Sequence, residues 1–141
     1  MDYREAYEKA LQLLNVRFLS EGELKAKLRR RGVDDDVLED VVAALEGEHF
    51  LDDQRLARDV YRYYARKGQY GHLYIVNRLR RRCLPLPEDV ERPDEYALAG
   101  DLVKRKFSYR ADEARKAARF LQYRGFSPSV IRGVLEDFTV H

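Results

Sequence analysis

The sequence is poor in the residues that cross-link a chain or carry it across a membrane. Cys83 is the single cysteine among 141 residues, so no disulfide can form within the chain, which fits a reducing compartment. No apolar run approaches the roughly 18 residues that a membrane-spanning helix needs. The first residues, Met1 to Glu5, show no apolar signal core. We therefore expect a cytoplasmic protein with no membrane partner.

The residues of metal-dependent and nucleotide-dependent catalysis are also scarce. The chain holds three histidines, His49, His72 and His141. Their spacing, with or without Cys83, suggests no metal site, and no glycine-rich phosphate loop occurs. The acidic run Asp34–Asp36 directly precedes the apolar Val37 and Leu38, which is typical of a helix N-terminus. We expect neither enzymatic activity nor a cofactor.

Acidic residues are missing from a long central stretch. The net charge of the chain is only +2, but residues 52–93 carry 10 basic and 6 acidic side chains, against 8 and 12 in residues 1–51 and 9 and 7 in residues 94–141. Between Val60 and Pro87 there is no acid, and seven cations lie there: Arg62, Arg66, Lys67, Arg78, Arg80, Arg81 and Arg82. Such a patch attracts phosphates or an acidic protein surface. We predict that these seven cations contact the partner.

The two arginine runs, Arg29–Arg31 and Arg80–Arg82, also admit a plainer interpretation. Cations near a helix C-terminus compensate the helix dipole, and three consecutive residues, each turned by about 100°, cannot share one face. The first run has acidic surroundings, so dipole compensation is a strong alternative there. The acid-free surroundings of the second run favour a binding face.

Tyrosines interleave with the central cations. They are Tyr61, Tyr63, Tyr64, Tyr70 and Tyr74. Aromatic and basic residues together can stack on bases, and both are equally at home in protein interfaces. Helical spacing places Tyr64 on one apolar stripe with Leu56 and Val60, which predicts that Tyr64 is buried and that Tyr61, Tyr63 or both are exposed.

One phrase of sequence occurs three times. Each copy begins with a leucine and continues through the end of a predicted helix that contains arginine. A residue that ends the helix and an apolar residue follow. The three copies are residues 28–33, 79–84 and 121–126. Repetition at about 40 to 50 residues indicates a tandem array of small helical units, which we place at residues 1–51, 52–93 and 94–141. We expect the three leucines, Leu28, Leu79 and Leu121, to be buried equivalents.

Every strong local signal is helical, so we predict an all-α fold of eight or nine helices. Ser20 and Glu23 match a capping box, Gly32 can take the left-handed position that ends the following helix, and a further helix should end near Gly47. Ser127 caps a last helix with Pro128 at its first position. No segment has the pattern of a strand.

Three prolines, Pro85, Pro87 and Pro93, interrupt the end of the second unit. Each removes a backbone donor and disfavours helix in the residue before it. The third helix of the second unit should therefore be short or irregular. We also expect the third unit to pivot at this joint.

The segment His49 to Ala57 contains an aromatic residue followed by Leu-Asp-Asp, then an arginine and an alanine. In this segment the chain resembles the RecX family of bacterial regulators of the recombinase RecA, whose signature is aromatic-Leu-Asp-Asp-x-Arg-aromatic-Ala. The segment Lys67–Gly71 and the Arg-Gly-Phe-Ser motif at Arg124–Ser127 fit the second and last repeats. The chain departs from the pattern at His72, where the family often has proline, and at Cys83, where it has glycine.

The resemblance implies tandem three-helix repeats in an elongated, curved molecule. It also implies binding to the filament of RecA on single-stranded DNA, with inhibition of RecA's ATPase and strand exchange. Such a protein modulates recombinational DNA repair and the SOS response. We expect a monomer whose partner is the RecA filament, together with the single-stranded DNA inside it. The alternatives are a direct DNA-binding protein that uses one unit as a helix-turn-helix, and a helical scaffold for another partner.

Overall fold

The computed structural model describes residues 1–107 and 110–140, with residues 139 and 140 as backbone only. In this part of the chain there are eight α-helices, one 3₁₀ turn and no strand, which confirms the all-α prediction. His141 lies outside it. The helices are α1 (Tyr3–Val16), α2 (Glu21–Arg30), α3 (Asp35–Gly47), α4 (Asp53–Arg66), α5 (His72–Arg81), α6 (Glu95–Phe107), α7 (Ala114–Tyr123) and α8 (Pro128–Val140), and the 3₁₀ turn, Ala111–Glu113, precedes α7.

The chain divides into two compact units. The first comprises residues 1–59 and 79–87, and the second comprises residues 60–78 together with the described chain from residue 88 onward. Both α4 and α5 therefore contribute to each unit. The three repeat boundaries remain a prediction from the repeated phrase, since the division into compact units follows a different line.

The first unit is built on a core between α1, α2 and α3. The start of α2 is specified by nearby residues. The Ser20 hydroxyl accepts from the Glu23 backbone N–H, and the Glu23 carboxylate accepts from the Ser20 N–H, which is the predicted capping box. Leu24 and Leu28 then follow on one face of α2, and both are fully buried. Helix α3 ends at Gly47, as predicted.

The second unit has its own core between α6, α7 and α8. Ala117 and Leu121 of α7 are four residues apart and both are buried, because that spacing places them on one side of a helix. Helix α8 begins at Pro128, and the Ser127 hydroxyl accepts from the Val130 N–H at 3.4 Å. The predicted cap of the last helix is confirmed.

The repeated phrase forms the same helix end three times. In each, the last apolar residue donates its N–H to the carbonyl of the leucine five positions earlier, as in Val33 to Leu28, at 3.2, 2.9 and 3.1 Å. The residue just before it is left-handed, with φ of 85° at Gly32, 58° at Cys83 and 82° at Gly125. The three leucines, Leu28, Leu79 and Leu121, are at most 1% exposed. Their predicted equivalence in burial is confirmed.

The apolar stripe of α4 was predicted one position out of register. Tyr61 is the fully buried tyrosine, with Ala57 one turn earlier, whereas Tyr64 is only half-buried. Tyr61 is held by His72, whose Nδ1 lies 2.8 Å from the Tyr61 hydroxyl. Tyr63 is 55% exposed, as the prediction of an exposed tyrosine required.

The third helix of the second repeat was predicted to be short or irregular. The structure has no helix between residues 82 and 94, the segment that contains the prolines. The predicted pivot of residues 94–141 stays a prediction. The start of α5 is bonded to that region within the second unit: Gly71 N–H donates to the Arg124 carbonyl at 2.7 Å, and His72 N–H donates to the Glu95 carboxylate at 2.8 Å. These bonds bypass the prolines and tie the two repeats together.

Candidate functional site

Three tyrosines of the second unit form an aromatic cluster between the end of α4 and the start of α5. The rings of Tyr70 and Tyr74 stack with centroids 3.9 Å apart and planes 5° from parallel. The Tyr64 ring meets both nearly edge-on, at 6.0 and 5.9 Å. They come together because Gly68, at φ 63°, turns the chain back after α4.

Cations cover the edges of this cluster. Lys67 Nζ lies 4.6 Å from the centroid of the Tyr63 ring, and the Arg78 guanidinium lies 4.9 Å from that of Tyr74. Arg78 Nη2 also donates to the Tyr74 hydroxyl at 2.7 Å. Arg124, from the end of α7, lies 5.7 Å from the Tyr70 ring. We call these residues the cation–tyrosine surface: Tyr63, Tyr64, Lys67, Tyr70, Tyr74, Arg78 and Arg124.

Contacts within this surface shift the pKa values of Tyr74 and Lys67. Burial alone would raise the pKa of Tyr74, but hydrogen bonds with Arg78 and Tyr70 outweigh it and lower that pKa. The contact with Tyr63 raises the pKa of Lys67. Contacts with tyrosines raise the pKa of Arg78 as well, so Lys67 and Arg78 stay charged at neutral pH while they are held against the rings. Anionic and aromatic ligands both favour such an arrangement.

Two further predicted cations lie on α4. Arg62 and Arg66 are both exposed and are four residues apart, so they share one side of the helix. Four of the seven predicted site residues therefore belong to the second unit: these two arginines, Lys67 and Arg78.

The remaining three predicted cations belong to the first unit and differ from one another. Arg80 and Arg81 are exposed. Arg82 instead pairs with Glu23 at 3.0 Å, with both side chains about one-fifth exposed, and its Nη2 donates to the Phe18 carbonyl at 2.7 Å. Burial would raise the pKa of Glu23, but the hydrogen bonds from Arg82 and from the Ser20 N–H lower it. Arg82 therefore fixes the start of α2.

Arg124 is a functional candidate that the charge pattern did not indicate. It lies in residues 94–141, where acids are interspersed, so the search for an acid-free stretch passed over it. Its position in the repeated phrase was the available signal, since it is the residue three after Leu121, as Arg82 is three after Leu79.

Among the described residues, no group of three or more His, Cys, Asp or Glu side chains is arranged to hold a metal ion. His72 bonds Tyr61, and burial lowers its pKa. Nor does any helix in the described ranges have the length and apolar character needed to cross a membrane.

Helical repeats and a surface of cations and tyrosines are typical of proteins that bind other macromolecules. Comparison with known families is consistent with this class. Residues 6–45 match the model of the first three-helix domain of RecX, and residues 93–135 match that of the third three-helix domain.

Whole-chain relatives extend the match. The chain is 32% identical to the regulatory protein RecX of Pelodictyon phaeoclathratiforme, over 89% of this chain and 84% of that one. It is 32% identical to that of Vibrio cholerae, over 96% and 94%. It is 30% identical to that of Geobacillus kaustophilus, of which it spans only 56%. The crystal structure of RecX from Lactobacillus salivarius has the same fold, with a TM-score of 0.75 at 18% identity over 99% of this chain and 98% of that chain. The chain belongs to the RecX family.

Proposed function

We propose that the protein is a non-enzymatic regulator that binds filaments of RecA on single-stranded DNA and inhibits RecA's ATPase and strand exchange. It would act as a monomer in the cytoplasm, with no cofactor, and so modulate recombinational repair. Membership of a family of regulatory proteins supports the regulatory role.

The observation that carries the proposal is the exposed cation set. In the second unit, Arg62 and Arg66 flank the cation–tyrosine surface, and in the first unit Arg80 and Arg81 are free of the clamp that holds Arg82. A filament of protein on nucleic acid offers phosphates, bases and acidic side chains, and each is a partner for arginine and tyrosine.

The second candidate function is direct binding to duplex DNA. Helix α5 follows α4 after a short turn and carries the exposed Asn77 among arginines, as a recognition helix would. Direct binding predicts that the protein alone shifts the electrophoretic mobility of duplex DNA in a sequence-dependent way, without RecA. The proposed function does not require such a mobility shift.

The test is a titration of the protein into RecA, single-stranded DNA and ATP. ATP hydrolysis should fall when the protein is at or below the concentration of RecA. An unchanged rate at a tenfold excess of folded protein would overturn the proposal.

Charge-reversal variants test whether the exposed arginines contact the filament. Arg62→Glu/Arg66→Glu and Arg80→Glu/Arg81→Glu should each weaken inhibition. The matched control is Arg115→Glu/Arg119→Glu on α7, two exposed arginines with the same four-residue spacing as Arg62 and Arg66. Arg82 is left unchanged because its loss would disturb the start of α2. If the control weakens inhibition as much as the other two variants do, these cations are not the contact surface.

A further inference from the structure

The helix end made by the repeated phrase is used as a clamp inside the first unit. The turn after α5 docks on the start of α2: the Ser20 hydroxyl donates to the Arg82 carbonyl at 2.6 Å, and the Arg82 guanidinium donates to the Phe18 carbonyl at 2.7 Å. Gly22 permits this approach, since a Cβ built there would lie 2.7 Å from Cys83 Cβ.

The same arrangement recurs inside the second unit. The turn after α7 docks on the start of α5: Gly71 N–H donates to the Arg124 carbonyl at 2.7 Å, and Leu73 N–H donates to the Gly125 carbonyl at 3.1 Å. Arg124 Nη1 donates to the Gln69 carbonyl at 3.3 Å. A Cβ at Gly71 would overlap the Gly125 carbonyl, so the approach again needs a small residue.

The two clamps share one chemistry. In each, a carbonyl of the turn accepts from a donor at the start of another helix. At α2 the donor is the Ser20 hydroxyl, and at α5 the donors are the Gly71 N–H and the Leu73 N–H, the latter being a first-turn group that a helix leaves unpaired. The arginine three residues after the repeated leucine donates to a carbonyl just before that helix. A glycine at the helix start allows close contact: Gly22 lies within the first turn of α2, and Gly71 lies just before α5.

The third copy of the turn, after α2, has the same backbone, but within the described ranges no hydrogen bond joins it to the start of another helix. Val33 N–H bonds the Leu28 carbonyl at 3.2 Å, and Gly32 is left-handed, as in the other copies. Arg31 holds the place of Arg82 and Arg124, yet it is exposed and donates to Lys27 of its own helix. A Cβ at Gly32 would meet nothing within 4 Å.

A second copy of this chain does not offer the matching helix. The equivalent start of α7 is Glu113 and Ala114, eight and seven residues before Leu121, as Gly71 and His72 precede Leu79. Both N–H groups are already taken by the 3₁₀ turn, since Glu113 donates to Arg110 and Ala114 to Ala111. The start of α7 in a second copy is therefore not the occupant, and we look to a helix of the partner protein.

We propose that the turn after α2, residues 29–33, binds the exposed first turn of an α-helix on the partner protein, at a point where that turn carries a small residue. Arg31 donates to the backbone carbonyl preceding that helix, and the carbonyls of the turn accept from its unpaired N–H groups. The choice of the RecA filament as the partner rests on the proposed function. The chemistry of the contact rests on the two clamps.

Site-directed cross-linking tests this contact. Cys83 shows that cysteine is tolerated at the left-handed position of this turn, so Gly32→Cys with Cys83→Gly moves the single thiol to the free turn. The thiol is labelled with a photoreactive maleimide, and the protein is bound to filaments of RecA on single-stranded DNA. The matched control is Gly47→Cys with Cys83→Gly, since Gly47 is exposed and also has open space around it.

Cross-links from position 32 should map to the first turn of a RecA helix and exceed those from position 47 severalfold. Cosedimentation without illumination measures filament binding separately. If both proteins sediment with the filament and position 32 gives no excess, or links to DNA or to another copy, the inference is wrong while the proposed function stands. If neither sediments, both are overturned.

Arg31→Ala gives a second measurement. It should weaken filament binding on the order of tenfold, the effect of losing one charge-assisted hydrogen bond. Arg4→Ala is the control, because Arg4 is an exposed arginine of the same unit and lies outside residues 29–33. Equal affinities for the two variants would contradict the assignment to Arg31.

Discussion

At the scale of single residues, the three left-handed positions show how one backbone conformation has different requirements in different surroundings. Gly32 lies in open space, Gly125 is packed against Tyr74, and Cys83 carries a side chain at φ 58°. A residue with a Cβ costs about 1 to 2 kcal/mol in this conformation. A Cβ would carry this cost at each of the three positions, so substitutions at them should differ through packing.

We predict that Gly125→Ala destabilises the protein much more than Gly32→Ala. The Gly32 variant should lose about 1 kcal/mol from backbone strain alone. In the Gly125 variant the new Cβ would overlap the Tyr74 backbone nitrogen and lie 2.7 Å from its Cα, which adds about 1 to 3 kcal/mol of overpacking. Thermal and urea unfolding followed by circular dichroism measure both.

Cys83→Gly is the control for the strain argument. It removes a side chain from a left-handed position, so it should be neutral or stabilising by up to about 1 kcal/mol after the greater entropy of unfolded glycine is subtracted. Equal losses in the Gly32 and Gly125 variants would show that packing against Tyr74 is unimportant.

At the scale of helices, the start of α2 depends on a charge from a distant part of the sequence. The Glu23 carboxylate completes the local capping box and also receives Arg82, which lies 59 residues later. The local half could be predicted from Ser20 and Glu23. The distant half could not, because the partner is selected by the tertiary fold.

We predict that Glu23→Gln lowers the free energy of unfolding by about 1 to 3 kcal/mol at pH 7, the value of a charged hydrogen bond. Glutamine keeps the capping acceptor, so the change isolates the charge. Because the folded-state pKa of Glu23 is lowered, its stabilisation is present above the unfolded pKa and is lost as pH falls through the folded value. The difference between variant and wild type should therefore shrink below about pH 4.

Urea unfolding at pH 7, 5 and 3 tests this pH dependence. Glu8→Gln is the control, since Glu8 forms an exposed pair with Arg4 and should change stability little at any of these pH values. A Glu23 deficit that stays constant down to pH 3 would show that the charge has no part in it.

At the scale of the whole molecule, cations are distributed over both compact units while the net charge of the chain stays at +2. Attraction to a nucleoprotein filament therefore depends on local patches and not on overall charge. Local attraction of this kind is screened by salt and, at phosphates, releases counterions.

We predict that filament binding weakens steeply between about 50 and 200 mM salt. The slope of log affinity against log salt should become shallower in the Arg62→Glu/Arg66→Glu variant, by roughly 0.7 to 0.9 for each phosphate that the variant no longer neutralises. Fluorescence anisotropy with labelled DNA in the filament measures the slope, with Arg115→Glu/Arg119→Glu as the control. Binding independent of salt would mean that these arginines contact no phosphate.

The sequence by itself determined the helices and their ends. Capping at Ser20, the stop at Gly32 and the burial of Leu28, Leu79 and Leu121 follow from contacts within one or two helical turns, which residue order specifies. The family resemblance rested on the same local motifs. Even here, the apolar stripe of α4 was predicted one position out of register. The buried Tyr61 bonds His72, a contact that periodicity does not contain.

Only the tertiary structure decided which cations are free and which are engaged. Arg82 and Arg81 are neighbours in the sequence, yet one is clamped between Glu23 and Phe18 while the other is exposed. Likewise Arg124 lies against the ring of Tyr70, which belongs to a distant part of the sequence. A charge pattern records how many cations a segment has, whereas their partners depend on chain segments brought together by core packing. For that reason the binding surface could be only partly predicted from the sequence.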